Sequence, residues 1–97
     1  MMSTFDEVIH QSTRLRIMAA LNLLSDGETL SFSQLKALLG VSDGNLGTHL
    51  DTLEKAAYIR ITKQFVGKKP QTSIQATPEG LHAYRAHILQ LKQLLAL

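Results

Sequence analysis

The sequence predicts a mainly α-helical domain that carries one β-hairpin. Apolar residues recur at spacings of three and four along most of the chain, which indicates amphipathic helices. Between Ile59 and Ala76 the pattern changes to alternation, broken by the turn sequence "GKKPQ", which is typical of a hairpin. The chain has 97 residues, and no linker-like or repeated segment divides it. We therefore expect one domain spanning residues 1–97 around one modest core.

The first two helices are predicted from their apolar faces. A short segment over about residues 3–10 places Phe5, Val8 and Ile9 on one helical face. Ser12 or Thr13 can cap the next helix, which runs through "RLRIMAALNLL". Its wide apolar stripe indicates a central core helix and comprises Leu15, Ile17, Met18, Ala19, Leu21, Leu23 and Leu24.

A turn at "SDGET" separates these helices from a tight pair of short helices. Thr29 and Leu30 can form a very short strand. Ser31 and Gln34 have the spacing of a capping box, and Gly40 stands where a left-handed glycine ends a helix. This third helix should turn four apolar side chains inward, namely Phe32, Leu35, Leu38 and Leu39.

The fourth helix, "SDGNLGTHLDTLEK", has an unusually thin outer face. Ser42 is its predicted N-cap, and the apolar face consists of Leu46, Leu50 and Leu53. Gly44 and Gly47 should each weaken the helix by about 1 kcal/mol relative to alanine. The outward residues are small and polar: Asn45, Thr48, His49 and Thr52. We interpret this thin face as clearance for close approach to a partner.

The hairpin that follows has a basic tip. Ile59, Ile61 and Phe65 alternate with polar residues, and "TSIQA" alternates again after the turn. Lys68 and Lys69 lie at the tip, and Lys63 lies on the first strand. Thr77 and Pro78 then begin the last helix as N-cap and first helical residue.

The third and fourth helices are short and joined by a tight turn. The fourth is polar on its outer face and is followed by a basic hairpin. This arrangement is typical of a winged helix-turn-helix. A helix can enter the major groove of DNA only where its outer face is not bulky. We expect residues 42–56 to be the recognition helix in that groove, and residues 66–71 to be a wing on the DNA backbone or in the minor groove.

The sequence also resembles the ArsR/MarR superfamily of bacterial winged-helix transcription regulators. The resemblance spans about residues 5–95 and rests on "STRLRIMAAL", on "SDGNLGTHLDTLE" and on the wing sequence "FVGKKP". It implies sequence-specific binding of double-stranded DNA, usually as a homodimer on an operator. The implied DNA-binding residues, with Lys63 added from the hairpin pattern, are Ser42, Asp43, Asn45, Thr48, His49, Thr52, Lys63, Lys68 and Lys69.

Two positions depart from the pattern of this family. Gly47 stands where a serine or similar residue is usual, which removes one possible contact. Ala57 stands where a helix-ending glycine is usual, so that either Ala57 takes a strained backbone or the helix ends differently.

The terminal helices, about residues 3–10 and 78–95, are predicted to form a dimer interface. The seam of the last helix could pack on the domain's own core, but Leu89, Leu94 and Leu97 widen it beyond what a small domain needs. The predicted interface comprises Phe5, Val8, Ile9, Leu81, Tyr84, Ile88, Leu91 and Leu95. A small effector between these helices could alter the spacing of the recognition helices; the sequence names no effector.

Other classes of function find less support in the sequence. The net charge of +2 is compatible with DNA, although a protein-interaction module without operator binding remains an alternative. No cofactor is expected, and the absence of cysteine removes thiolate metal sites, which leaves Glu79 and His82 as candidates only across a dimer. No catalytic constellation stands out, so we do not expect an enzyme. With no apolar run long enough for a membrane span, we expect a cytoplasmic protein.

Overall fold

The computed structural model describes residues 5–96, which form five helices and three strands. The helices are α1 (Glu7–His10), α2 (Ser12–Asn22), α3 (Phe32–Leu39), α4 (Asp43–Lys55) and α5 (Pro78–Leu95). The strands are β1 (Leu30–Ser31), β2 (Ile59–Val66) and β3 (Lys69–Ala76). This order and composition confirm the predicted winged helix-turn-helix. Residues 3 and 4 of the predicted first helix lie outside the described residues.

The hydrophobic core lies where α2 meets α3, α4 and the base of the sheet. Ile17 and Met18 of α2 are completely buried, as predicted for a central helix. Leu46, Leu50 and Leu53 bury the predicted inner face of α4. The remaining buried apolar side chains are Leu21 of α2, Ile9 of α1, Leu35 and Leu39 of α3, and Ile59 and Ile74 of the sheet.

Most of the predicted helix ends are confirmed. Ser31 and Gln34 form the complete capping box of α3, and Gly40 ends that helix with a φ of 67°. Ser42 caps α4 by accepting a hydrogen bond from the backbone of Asn45. The predicted cap of α2 is wrong: Gln11 caps it, its side-chain oxygen accepting from the backbone N–H of Arg14 at 2.9 Å. The longer side chain of Gln11 thereby satisfies one of the first N–H groups of α2, which Ser12 or Thr13 was predicted to do.

The hairpin is longer and its turn tighter than the sequence suggested. β2 and β3 pair antiparallel from Ile59 opposite Ala76 to Val66 opposite Lys69, and β1 adds to the outer edge of β3. Only Gly67 and Lys68 remain unpaired at the tip. Gly67 has a φ of 66°, which matches a type II′ turn with glycine first. Lys69 therefore belongs to a strand and not to the turn.

Four apolar side chains do not lie where their patterns place them. The sequence predicts Leu23 and Leu38 in the core, but they are 84% and 62% exposed. Leu23 falls in the last, non-helical turn after α2, and Leu38 lies on the outer side of a helix with only eight residues. Phe65 alternates as predicted but extends beyond the helices and is exposed. Ile9, predicted to belong to the dimer interface, is completely buried in the domain's own core.

A compact junction joins the end of α4 to the beginning of α5. The helix ends in a Schellman motif: the N–H of Tyr58 bonds to the carbonyl of Leu53, and that of Ala57 to the carbonyl of Glu54. Ala57 has a φ of 65°, so the first of the two alternatives for this position, a strained alanine, is confirmed. The Thr77 hydroxyl donates to the Ala57 carbonyl at 2.7 Å. The end of α4 is thereby fixed to the beginning of α5.

Candidate nucleic-acid interface

The outer face of α4 carries polar side chains above a fully anchored inner face. Ser42, Asp43, Asn45 and Thr48 are exposed, while His49 and Thr52 are half-buried. Two of these residues direct their hydroxyl groups back to the helix. Thr48 donates to the Gly44 carbonyl at 2.9 Å, and Thr52 donates to the Thr48 carbonyl at 3.2 Å. Both hydroxyl oxygens can still accept a hydrogen bond, and the threonine methyl groups remain available for apolar contact.

The glycines of α4 are not required by packing. A Cβ added to Gly44 or Gly47 would have no neighbouring heavy atom within 4 Å, and neither residue has a positive φ. An alanine at either position would therefore fit within the domain. The thin outer face has no internal cause, which is consistent with clearance for an external partner.

Two acidic residues of α4 are paired with lysines. Lys36 of α3 reaches Asp43 at 2.8 Å across the helix-turn-helix, and Lys55 reaches Asp51 at 2.9 Å one turn along α4. The hydrogen bond that Lys55 donates to Asp51 raises the pKa of Lys55. Exposed pairs of this kind stabilise a fold little, but they offset the negative charge that a polyanion would meet. Asp43 and Asp51 thus each form an ion pair with a lysine.

The wing contributes exposed positive charge at one end of the molecule. Lys68 and Lys69 are exposed, and so are Phe65 and Val66 beside them. Lys63 lies further from the tip and lines a groove of about 620 Å³ between α4 and the sheet, where Asp51 and Glu54 also lie. The structure thus brings Lys68 and Lys69 together, and places Lys63 nearer to α4.

His49 is held by a residue that the sequence did not suggest. Nη1 of Arg14, on α2, lies 3.0 Å from Nδ1 of His49. The same guanidinium donates from Nε to the Val8 carbonyl at 2.6 Å and from Nη2 to the Glu7 carbonyl at 3.4 Å. Burial, and then the charge of Arg14, lower the pKa of His49 below its ordinary value. This lowered pKa favours the neutral imidazole of His49.

The terminal helices meet at a pair of histidines. His87 of α5 is 1% exposed, and its Nε2 lies 3.2 Å from Nδ1 of His10 at the end of α1. Phe5 stacks on the His10 ring with a centroid separation of 4.7 Å. Within residues 5–96, Nδ1 of His87 is buried without a hydrogen-bond partner. Burial, and then the charge of His10, lower the pKa of His87, while Asp6 opposes the shift.

Beyond His87, α5 no longer contributes to the domain's core. None of residues 88–96 is buried, and Leu89, Leu94 and Leu95 are 57%, 51% and 78% exposed. The other predicted interface side chains are partly covered; they are Phe5, Val8, Leu81, Tyr84, Ile88 and Leu91. Leu97 lies outside the described residues.

Three contacts of this surface could not be found by sequence patterns. Lys36 and Arg14 belong to helices other than α4, and their partners Asp43 and His49 become neighbours only when the helices pack. The approach of His10 to His87 joins residues from opposite ends of the chain. Hydrophobic periodicity indicates which face of each helix packs on the core, but it does not indicate which polar residues of two neighbouring helices come into contact.

A metal site and a membrane span find no support in the same residues. Within residues 5–96, no three side chains of the metal-ligating types come together as a possible metal site, and Glu79 and His82 are exposed near the beginning of α5. No helix in this part of the chain is long and apolar enough to cross a membrane.

Comparison with known proteins identifies the family. Residues 13–95 match the family described as "Winged helix DNA-binding domain". The chain belongs to this family. A relative from Methanocaldococcus jannaschii, described as an uncharacterised protein, is 32% identical over 88 residues, which are 91% of this chain and 92% of the relative.

Solved structures share the winged-helix fold. A transcriptional regulator homologue from Pyrococcus horikoshii OT3 is 24% identical, with a TM-score of 0.83 over 94% of this chain and 87% of the other. A protein from Enterococcus faecalis V583, assigned to the MarR family of transcriptional regulators, is also 24% identical, with a TM-score of 0.71 over 93% and 80%. FabT of Streptococcus pneumoniae, solved in complex with DNA, is 18% identical, with a TM-score of 0.61 over 93% and 64%. The resemblance to MarR/ArsR regulators is confirmed in fold.

Proposed function

We propose that this winged-helix protein regulates transcription by binding a specific double-stranded DNA operator as a homodimer. Residues 42–56 would lie in the major groove and residues 66–71 would contact the backbone or the minor groove. The observation that carries the proposal is the outer face of α4, whose two glycines meet nothing inside the domain. A helix that gives up stability to stay thin is suited to enter a groove.

Charge supports DNA as the partner. Lys68 and Lys69 are exposed at the wing tip, and the ion pairs of Asp43 and Asp51 reduce the repulsion between α4 and phosphates. FabT, which has the same fold, is described in complex with DNA. These features favour operator binding over the alternative of a protein-interaction module.

The exposed leucines of α5 support a dimer. Leu89, Leu94 and Leu95 lie beyond the part of the helix that packs on the domain, and water would cover them in a monomer. A second copy would bury them around a two-fold axis and place two α4 helices on half-sites separated by whole turns of DNA. The interface would include the partly covered residues of α1 and α5, while Ile9 would support it from inside the domain. Such a dimer would act in the cytoplasm, beside its DNA.

The proposal is tested by titrating the protein against duplexes containing the region upstream of its own gene, over a range of salt concentrations. Replacing Lys68 and Lys69 together by alanine should weaken binding to all duplexes and lower the salt slope by about 1 for each phosphate that is no longer neutralised. Asn45→Ala should instead reduce the difference between specific and non-specific duplexes. Unchanged affinity and slope in the lysine variant would contradict the wing assignment, and absence of saturable duplex binding would favour the interaction module.

A further inference from the structure

We infer that Arg14 is a positioning residue for DNA recognition, which fixes His49 as a hydrogen-bond donor to an acceptor on the DNA. This inference rests on the proposed function. It adds a residue on α2, outside the recognition helix and the wing, and it assigns His49 one chemical role in place of several.

The polarity of the Arg14–His49 contact follows from the chemistry of the two groups. A guanidinium carries five N–H donors and no acceptor, and it stays protonated in proteins. Nδ1 of His49, 3.0 Å from Nη1 of Arg14, must therefore accept. A neutral imidazole with a lone pair on Nδ1 carries its proton on Nε2. Arg14 thus selects the tautomer of His49.

Arg14 is itself fixed on its other side. Its Nε donates to the Val8 carbonyl at 2.6 Å, and its Nη2 donates to the Glu7 carbonyl at 3.4 Å. These carbonyls belong to the four-residue helix α1, which is too short to satisfy them internally. Because the guanidinium is planar and held by α1, it presents Nη1 to His49 in one orientation.

The remaining ring nitrogen of His49 is free to meet DNA. Within residues 5–96, the contact with Arg14 is the only hydrogen bond of the His49 ring. Nε2–H lies on the ring edge away from Nδ1. His49 is one helical turn after Asn45 on the outer face of α4, and the lowered pKa of His49 favours the neutral ring. The two threonine hydroxyl protons of this face are already donated to the helix. The side-chain donors that remain on this face are His49, Asn45 and the hydroxyl of Ser42, which only accepts within the domain.

A fixed donor selects an acceptor. In DNA the acceptors within reach of a major-groove helix are purine N7, guanine O6, thymine O4 and phosphate oxygens. The amino groups of adenine and cytosine are donors, so they cannot accept a hydrogen bond from Nε2–H. Without Arg14, His49 could exchange its proton between the two ring nitrogens and accept as well as donate, and the discrimination would fall.

The test begins with the free protein. Long-range ¹H–¹⁵N spectra of the imidazole rings should show His49 as the Nε2–H tautomer in the wild type, and a mixture of tautomers in Arg14→Met. Arg16→Met is the matched control, because Arg16 lies on the same helix and donates to one backbone carbonyl, that of Leu39 at 2.9 Å, without contacting His49. It should leave the His49 tautomer unchanged. An Nδ1–H tautomer in the wild type would overturn the inference without affecting the proposed function.

The second arm uses a duplex that the wild-type protein selects from a random library. Arg14→Met and His49→Ala should each weaken binding about three- to tenfold, the range of one hydrogen bond, and the double variant should bind little more weakly than His49→Ala alone. The effects of Arg16→Met and His49→Ala should instead multiply. Multiplying effects for the Arg14 pair would overturn the inference. Failure of the wild type to select any duplex would overturn the proposed function and this inference with it.

Modified duplexes then locate the acceptor. If it is a base edge, one duplex that lacks that atom should remove the dependence of affinity on His49: a 7-deazapurine lacks purine N7, 2-aminopurine lacks guanine O6, and 5-methyl-2-pyrimidinone lacks thymine O4. If it is a phosphate oxygen, one methylphosphonate should do so. Either result supports a DNA acceptor for His49. Retention of the His49 dependence with every such duplex would overturn the role assigned to Nε2–H. Thermal unfolding of each variant shows whether any decrease in binding follows from a decrease in folding.

Discussion

The α-carbon of Gly80 lies against the backbone of Tyr58, so close that a Cβ built on Gly80 would be 2.0 Å from the Tyr58 carbonyl oxygen. The first turn of α5 can approach the end of α4 only because residue 80 has no side chain. The same carbonyl accepts the N–H of Thr77 at 3.0 Å. The orientation of α4 relative to α5 depends on this contact.

Gly80→Ala should therefore destabilise the protein by at least about 2 kcal/mol, because backbone atoms cannot yield as a flexible side chain would. Gly44→Ala is the matched control: its Cβ meets nothing within 4 Å, and alanine should stabilise the helix by about 0.5–1 kcal/mol. Urea unfolding measures both changes. Equal effects of the two substitutions would contradict the packing at the junction.

Ala57→Gly should stabilise the protein. Its φ of 65° costs an L-residue about 1–2 kcal/mol, while glycine adds about 0.4–1 kcal/mol of unfolded-state entropy. We expect a net gain of up to about 1.6 kcal/mol in the free energy of unfolding. Ala56→Gly, one residue earlier at a φ of -79°, should destabilise instead. A decrease in stability from Ala57→Gly would show that the helix ends differently.

Alkaline conditions should weaken the contact between Tyr58 and α1. The Tyr58 hydroxyl donates to Asp6 at 2.5 Å, and this bond, with burial and the carboxylate charge, raises the pKa of Tyr58 to about 12. The folded state holds the proton more tightly than the unfolded state, whose phenol titrates near pH 10. Stability from this group is present below about pH 10 and is lost as the pH rises to about 12. Tyr58→Phe should remove that pH dependence, whereas Tyr84→Phe should retain it; denaturant unfolding at pH 9 and pH 11 compares them.

Mild acid should weaken the packing of α1 on α5. The pKa of His87 is lowered by burial and by His10, so the unfolded state binds its proton first as the pH falls below about 6.5. The stability contribution of neutral His87 is present above that pH and is lost as the pH falls through the lowered pKa. His10 and Asp6 face the ring from α1 and its cap, and Asp6 opposes the effect.

His87→Leu should reduce the decrease in stability between pH 7 and pH 5, and thermal unfolding measures it. At pH 7 the substitution should be close to neutral, since it removes a buried nitrogen that lacks a partner within the described residues. His82→Gln on the exposed face of α5 should leave the pH dependence as it is. A wild-type protein whose stability does not change between pH 7 and pH 5 would contradict the buried state of His87.

The fold was predictable because its local chemistry agrees with its hydrophobic pattern. The Ser31–Gln34 capping box, the caps at Ser42 and Thr77, and the alternation after Ile59 each specify an element within a few residues. The errors have local causes. Gln11 caps α2 in place of Ser12 or Thr13, because its longer side chain reaches the N–H of Arg14. Leu23 follows the end of α2, and Leu38 lies on the short helix α3. Both segments have more apolar residues than the core can bury.

The candidate site was predictable only in part. The polar face of α4 and the basic wing follow from periodicity and composition. The contacts of Arg14 with His49 and of Lys36 with Asp43 form only when the helices pack against one another. A single sequence does not specify that packing. The burial of Ile9 has the same origin, because α1 has too few residues for its pattern to distinguish an inner from an outer face.

The most direct test of operator binding by a dimer is selection of duplexes from a random library by the wild-type protein, followed by sequencing. We predict enrichment of an inverted repeat whose half-sites are separated by about 10 base pairs or a whole multiple of that spacing, as two α4 helices on a two-fold axis require. We also expect two protein chains for each duplex by sedimentation. Recovery of no enriched sequence, or binding by a monomer to a single unrepeated site, would contradict the proposed function.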